Sequence, residues 1–317
     1  MTDYDLLAPE EGEGGPGDEW EEIDVSDTEA DRIARQRDRE FDEFRRRIKD
    51  ADQFKVEASV FDDATYAALY KLVQDGYIEA FGGPISTGKE ANVYTALGGA
   101  VAREALAGDV IERADAERRG DRRNAAGADA DGEVEVAVKV YRINASDFRD
   151  MRGYLEGDPR FEGIGSEKNE VVKAWVRKEF ANLRRAREAG VRVPTPLAVE
   201  RNVMVMEYIG TEAGRARRLS EVEVENPETA YEVVREYMRR LYDAGLVHGD
   251  LSEYNVVFHE GQLVVIDLGQ AVTVHHPNAA DFLDRDCENV ASFFQRQGVD
   301  TDADSLRAFV SADGTED

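Results

Sequence analysis

Three side chains near the C-terminus have the types and spacing to handle a phosphoryl group. Asp250 and Asn255 stand five residues apart in HGDLSEYN, and Asp267 follows twelve residues later in VVIDLG. The stretch between them reads as a strand, a turn at His259-Glu260-Gly261-Gln262 and a second strand. A hairpin of that length returns Asp267 to the side of Asn255, with Asp250 close by. One carboxylate to accept or orient the proton of an attacking hydroxyl, beside an amide and a carboxylate that hold a metal, suits phosphoryl transfer from a magnesium nucleotide. Magnesium is a hard cation that takes oxygen ligands, and both groups supply them. Each residue alone is what a capped turn or a strand end ordinarily contains. The spacing of all three points to chemistry.

Other elements must bring a nucleotide to that trio. The strand VEVAVKVYR (Val134 to Arg142) carries Lys139 in V-A-V-K, close to the V-A-I-K that delivers a lysine to the α- and β-phosphates in kinases. A helix is expected over Glu170 to Ala189, with Val172, Trp175, Val176, Leu183 and Ala186 on one face and Lys173, Arg177 and Arg184 opposite. At about 100° per residue, Glu179 falls in the middle of the apolar face. A carboxylate there needs a partner, and Lys139 is the expected one.

Upstream, GYIEAFGGPISTGKEANVYTAL reads as two strands broken by a glycine-rich turn. Gly83 to Lys89 matches G-x-x-x-x-G-K, but Glu90 stands where a P-loop needs Ser or Thr. ANVYTAL also alternates like a strand, whereas a P-loop opens a helix. A hairpin covering the phosphates fits better, with Ser86, Thr87 and Lys89 at its tip as candidate contacts. The strand NVMVMEYIG ends where a hinge presents backbone groups to adenine, at Glu207 and Ile209.

The chain of 317 residues is long enough for a sizeable core. Its 40 basic and 68 acidic residues give a net charge of −28, and only eight of the basic residues are lysine. Self-repulsion on that scale destabilises a compact state in dilute buffer and is screened in molar salt, where the Debye length falls to about 3 Å. The composition therefore reads as adaptation to a salty cytoplasm rather than as a surface for a basic partner. One cysteine, Cys287, excludes an internal disulfide, and four histidines make a zinc site improbable. No apolar run spans a bilayer and no signal peptide opens the chain, so a cytoplasmic location is expected.

Along the chain, an acidic disordered tail and a charged helix are expected over 1–53. Residues 54–209 read as one lobe, with a surface insertion at 98–133 that is poor in apolar residues apart from a short helix around Arg103 to Arg119. Residues 210–311 read as a second lobe, followed by an acidic tail at 312–317. Helices are expected at Asp62 to Gln74, Glu228 to Ala244, Ala279 to Gln297 and Thr301 to Val310.

STGKEANVY (Ser86 to Tyr94), AVKVYR, RKEFANL (Arg177 to Leu183), HGDLSEYN, IDLGQ and RDCENV (Arg285 to Val290) follow one another in order. With these six motifs the chain resembles the RIO-type atypical serine/threonine protein kinases, type-1 subfamily, over about Phe54 to Val310. Leu268-Gly269 stands where the type-2 subfamily has Phe-Pro. The resemblance implies an α+β, two-lobed, protein-kinase-like fold: an antiparallel sheet with a helix in the N-lobe and a small, mainly helical C-lobe. It implies ATP and Mg2+ (or Mn2+) as cofactors, a Lys139–Glu179 ion pair, Asp250 as proton acceptor, and Asn255 and Asp267 as metal ligands. It further implies that Asp267 can become a phosphoaspartate, that Ile143 to Lys168 is a flexible loop near the γ-phosphate, and that the protein acts on the immature small ribosomal subunit, as an ATPase more than a kinase. No A-P-E segment follows Asp267, which sets the chain apart from ordinary protein kinases. The alternative is a small-molecule phosphotransferase of the aminoglycoside or choline kinase type, which shares H-G-D-x-x-x-x-N but carries a large helical C-lobe.

Overall fold

The computed structural model describes residues 40, 43, 61–108, 133–142, 148–155, 158, 161, 167–211 and 213–312. The N-terminal tail and charged helix expected over 1–53 lie outside these residues, except Glu40 and Glu43, which are helical; so does the acidic tail from residue 313. The chain divides into two units, Met1–Glu43 and Phe44–Asp317, and every strand and helix from Asp63 onward belongs to the second.

Helix α1 (Asp63–Gln74) begins where the Asp62 carboxylate accepts the Thr65 N–H at 2.7 Å, an N-cap that satisfies an otherwise orphaned donor. It stops at Gly76, whose φ of 79° suits glycine. Five strands then form one antiparallel sheet: β1 (Ile78–Thr87), β2 (Ala91–Gly98), β3 (Glu135–Tyr141), β4 (Pro196–Glu200) and β5 (Val203–Glu207), in the order β1-β2-β3-β5-β4. Strand β3 is buried from Val136 to Tyr141, so it reads as a nearly continuous apolar run interrupted by Lys139.

The segment 98–133 is not wholly a surface insertion. Helix α2 (residues 100–108) follows β2, and its Ala102 and Leu106 are buried. The two lie four apart, which puts them on one face of the helix. Their apolar character was too sparse to stand out against the polar composition of the segment. Residues 109–132 lie outside the described residues. Of the region expected to be a flexible loop, 143–168, residues 143–147, 156–157, 159–160 and 162–166 lie outside the described residues. The region contains helix α3 (Phe148–Leu155), anchored by buried Met151 and Leu155, again four apart.

Helix α4 (Lys168–Glu188) buries Val172, Trp175, Val176, Leu183 and Ala186 as its periodicity requires, together with Lys178, Glu179 and Asn182. The C-lobe comprises β6 (Gly210–Thr211), β7 (Gly214–Arg215), β8 (Arg217–Arg218), α5 (Pro227–Asp243), β9 (Leu246–Val247), β10 (Val256–His259), β11 (Gln262–Val265), β12 (Val272–Thr273), α6 (Ala279–Arg296) and α7 (Ala303–Val310). The β10–β11 hairpin pairs His259 with Gln262. Its two turn residues, Glu260 and Gly261, have φ of 49° and 79°, the positive pair a two-residue turn needs to match strand twist. A continuous core runs from Val172 and Trp175 of α4 through Leu251, Val265 and Leu268 to Phe294 of α6. No helix among the described residues is long and apolar enough to cross a membrane.

Candidate active site

A cleft of about 830 Å³ opens between the five-stranded sheet and the C-lobe. It is lined by Lys139 and Glu179 from one side and by Asp250, Asn255 and Asp267 from the other. Ser86 and Lys89 border it at the hairpin tip, and Glu207 and Ile209 at the hinge. Thr87, the third candidate at the tip, is exposed and is not among the lining residues. Its neighbours Ile85 and Ser86 both line the cleft, where the register of β1 shifts between Pro84 and Ser86.

The buried Lys139 ammonium bonds Glu179 Oε1 at 2.8 Å, Glu179 Oε2 at 3.0 Å and Asp267 Oδ1 at 3.0 Å. Tyr141 Oη donates to the same Glu179 carboxylate. Burial works against the Lys139 charge, but Asp267 and Glu179 more than offset it, and its pKa is raised. Burial pushes Glu179 up to about 7 against the pull of Lys139. Asp267 is held below the usual carboxylate range by Lys139, with its side chain 55% exposed to the cleft. The three groups tie strand β3, helix α4 and the β11 exit into one charge network.

The loop carrying Asp267 is strained and firmly held. Asp267 has φ of 63°, a left-handed conformation that costs a non-glycine residue about 1–3 kcal/mol and is stored at functional sites. Two side chains of α4 hold the following turn by its carbonyls. Lys178 Nζ donates to Gly269 O at 2.7 Å, and Asn182 Nδ2 donates to Leu268 O at 3.2 Å and Ala271 O at 2.9 Å. Gly269 is closely approached: a Cβ there would lie 3.2 Å from both Glu179 Oε2 and Trp175 Nε1 and would crowd them.

The Asp250 loop is held through its backbone. The buried Asp286 carboxylate of α6 accepts the N–H groups of Gly249 and Leu251, each at 2.7 Å, one on either side of Asp250. Arg285 donates to Gly249 O. Burial raises Asp286 to about 6, and it raises Asp250 as well, with Asp267 pushing the same way. Asn255 Nδ2 donates to Asp250 O at 2.8 Å and to Asp250 Oδ2 at 3.3 Å, while the Ile266 N–H donates to Asn255 O at 2.9 Å. The hairpin thus brings Asn255 and Asp267 side by side, as the spacing requires.

With its amide nitrogen committed to Asp250, Asn255 has its Oδ1 to offer a cation, and Asp267 adds a carboxylate oxygen. Such a sparse oxygen set fits magnesium, which takes one or two protein ligands and completes its shell with phosphates and water.

At the hinge, the Glu207 carboxylate forms a bidentate pair with buried Arg192 at 2.8 and 2.5 Å and accepts the Thr195 N–H at 3.0 Å. The Glu207 N–H bonds Thr195 O and the Ile209 carbonyl accepts from Ala216, so a base can reach only the remaining backbone groups of these two residues.

Sequence reading missed Asp286, Lys178 and Asn182. The signal was present. Asp286 lies among buried Leu283, Cys287 and Val290 of α6, as Glu179 lies among apolar residues of α4. A polar residue in the apolar stripe of a helix is held by a partner across the fold.

Comparisons with known proteins agree with this geometry. A family described as the RIO domain matches residues 123–306. The RIO-type serine/threonine-protein kinase Rio1 of Haloferax volcanii is 68% identical over 318 residues, covering 100% of this chain and 98% of that protein. The Rio1 kinase of Methanocaldococcus jannaschii is 33% identical over 82% of this chain and 78% of its own length. The fold resembles the Rio2 kinase of Chaetomium thermophilum, solved as an ADP/Mg2+-phosphoaspartate complex, with TM-score 0.52, 21% identity, and coverage of 79% of this chain and 67% of that one. These relationships set aside the small-molecule phosphotransferases. A cleft carrying Lys139, Glu179, Asp250, Asn255 and Asp267, in a chain so similar to Rio1 along its whole length, places this protein in the RIO family of serine/threonine protein kinases.

Proposed function

We propose that this protein transfers the γ-phosphoryl group of ATP, in the presence of magnesium, to a serine or threonine hydroxyl or to water, in the maturation of the small ribosomal subunit. The observation that carries the enzymatic reading is the Lys139 ammonium bonded at once to Glu179 and Asp267 in the cleft that also holds Asp250. The cleft volume of about 830 Å³ suits a nucleotide, since ligand pockets run from about 300 to 1,000 Å³. Lys139, fixed by Glu179, grips the α- and β-phosphates. Ser86 and Lys89 border them from the hairpin, and Glu207 and Ile209 offer backbone groups to the base. Asn255 and Asp267 hold the metal, which when bound neutralises the charge on the transferring phosphoryl oxygens. Asp250, its affinity for protons raised by burial, accepts the proton of the attacking hydroxyl.

The ribosomal part rests on the family resemblance and on exposed arginines. Arg152 and Arg217 are exposed, Arg217 donating to Glu221 O, while Arg215 is paired with Glu221 at 2.7 Å and Arg142 with Asn92 at 2.9 Å. Arg45 to Lys49 lie outside the described residues. Local potential rather than total charge governs such docking.

The test is to incubate the protein with labelled ATP and Mg2+ in molar KCl, with and without small ribosomal subunits, and to measure phosphate release and protein labelling. Asp250→Asn should lose about 10³-fold in turnover, within the range that general-base removal costs. Turnover within a few-fold of wild type would refute the assignment of Asp250. Sedimentation of cell extract should place the Asp267→Ala protein with small-subunit precursors. If neither it nor wild type co-migrates in any nucleotide state, the ribosomal part fails and the enzymatic part stands.

A further inference from the structure

A second hollow, of about 930 Å³, lies across the β8–β10 strand pair from the active-site cleft. The two strands pair Arg218 with Val257 and Arg217 with Phe258. Side chains alternate faces along a strand. Arg218 and Val257 line the cleft, while Arg217 and Phe258 line the second hollow. Phe258 is 49% exposed, one of three large apolar side chains so exposed among the described residues.

Helix α5 forms the facing wall. Its Tyr231, Val234, Met238 and Leu241 are buried in the core. Beside them Ala230, Val233 and Tyr237 recur at helical spacing as a second apolar stripe, only half-buried, which lines the hollow together with Val222 and Val224. The apolar face of α5 is therefore wider than the core covers.

Charge selects the occupant. Glu223, Glu225 and Glu232 are exposed in the lining, and none forms an ion pair among the described residues. The cations there are already engaged. Arg240 is paired with Glu236 at 2.8 Å and donates to Gly190 O, and Arg217 donates to Glu221 O. Apolar walls thus carry an uncompensated negative rim. In molar salt, attraction between charges is screened beyond about 3 Å. A ligand is then held only by direct pairing with these carboxylates and by covering the apolar walls. A nucleic acid would set its phosphates against the same carboxylates. A basic peptide segment with an apolar anchor meets both needs.

We propose that the hollow between α5 and the β10–β11 hairpin docks a lysine- and arginine-rich segment of another protein through one large apolar side chain. That side chain covers Phe258, Val224 and Val233, and the flanking cations pair with Glu223, Glu225 and Glu232. The site faces away from the cleft, so docking does not depend on the phosphoryl-transfer reading.

Fluorescence anisotropy tests this with the full-length protein in molar KCl and two labelled peptides, KRKFLRKR and KRKSSRKR, the second lacking the anchor. Urea unfolding confirms that each variant is folded. Wild type should bind the first peptide about tenfold more tightly than the second, the scale of one apolar side chain buried. Phe258→Ser should weaken binding of the first peptide about tenfold, and Glu223→Lys/Glu225→Lys about as much, since it sets like charges together. Glu288→Lys/Asp300→Lys, an equal reversal of exposed carboxylates outside the lining, should bind as wild type does. Wild type that binds neither peptide overturns the inference. So does unchanged binding in the folded Phe258→Ser or Glu223→Lys/Glu225→Lys protein, or an equal loss in the Glu288→Lys/Asp300→Lys protein. A wild-type dimer in sedimentation that Phe258→Ser dissociates would seat a second copy there instead. Peptide binding that appears only in Arg45→Ser/Arg46→Ser/Arg47→Ser would seat the chain's own basic run. Either result overturns docking of a separate protein.

Discussion

Asp267 and Asp250 face one cleft and are held by opposite means. Asp267 is open to the cleft, strained at its backbone, and kept ionised by the Lys139 ammonium 3.0 Å away. Asp250 has no lysine or arginine pair at contact distance among the described ion pairs; burial raises its pKa, and its loop is clamped through the flanking N–H groups by Asp286. The difference matches their proposed roles. A metal ligand must stay a carboxylate whatever arrives, so a fixed cation suits it. A proton acceptor must bind a proton when one is offered, so a group whose charge is less well compensated suits it. Environments that push two carboxyls in opposite directions fit the two tasks proposed for them.

The comparison can be broken most directly at Asp267. Asp267→Asn removes the proposed metal ligand and should lower kcat by about 10⁴-fold, the equivalent of about 5 kcal/mol of transition-state charge stabilisation. The fold should survive, since the side chain lies at the cleft surface. Single-turnover assays across a magnesium titration check this, and activity within tenfold of wild type would remove Asp267 from the metal site.

Asp286→Asn tests the other side. Its amide can accept only one of the two N–H groups and turns a donor toward the second, so the Asp250 loop shifts. About 10²-fold in kcat is expected, the cost of misplacing a reacting group by about an ångström. The pH dependence sharpens the point. Asp286 titrates at about 6 and Glu179 at about 7 in the folded protein, both above their ordinary values of 3.8 and 4.5. Turnover should therefore fall as pH drops from above 7 through 6, as both carboxylates take up protons. The stability contribution runs the other way. With folded values raised, it is fully present below the ordinary values and lost as pH rises through about 6 to 7. Urea unfolding at pH 5 and pH 8, beside kcat at each, should show the two trends opposed.

Asn182→Ala loosens the Asp267 loop without touching the cleft. It removes a donor from the Ala271 carbonyl and one from Leu268 O, which keeps the Ala271 N–H, and should cost about 1–3 kcal/mol by urea unfolding, with a smaller loss of kcat than Asp286→Asn. Leu106→Ala in α2 is the control outside both loops. It should cost about 2–3 kcal/mol in stability and leave kcat unchanged. A variant as stable as wild type would return α2 to the surface reading from which its buried Leu106 removed it.

How far each part was legible follows from how local its cause is. The Asn255–Asp267 pairing was readable because a two-residue turn fixes a hairpin's register within a dozen residues. Glu179 was readable from helical periodicity, and the Lys139 partner from the need to compensate it. Lys178 lies one residue before Glu179, yet it passed as one more charge in a basic helix. Its partner is a carbonyl, Gly269 O, which any residue could supply. Asp286 is similar: it recognises the N–H groups of Gly249 and Leu251, and backbone donors leave no mark on the sequence that carries them. Helices α2 and α3 were under-read because two buried residues four apart are too few to show a period in polar surroundings.

The sequence by itself determined the order of the elements, the grouping of Asp250, Asn255 and Asp267, and the buried Lys139–Glu179 pair, since spacing, turn chemistry and helical period act over a few residues. Only the tertiary structure decided what holds that site in place: Asp286 on the Asp250 loop, Lys178 and Asn182 on the Asp267 loop, and Tyr154 against Phe282 and Gln270. Those contacts join residues as far apart as Tyr154 and Gln270, through backbone atoms and ring faces, and they exist only once the core beneath them has packed.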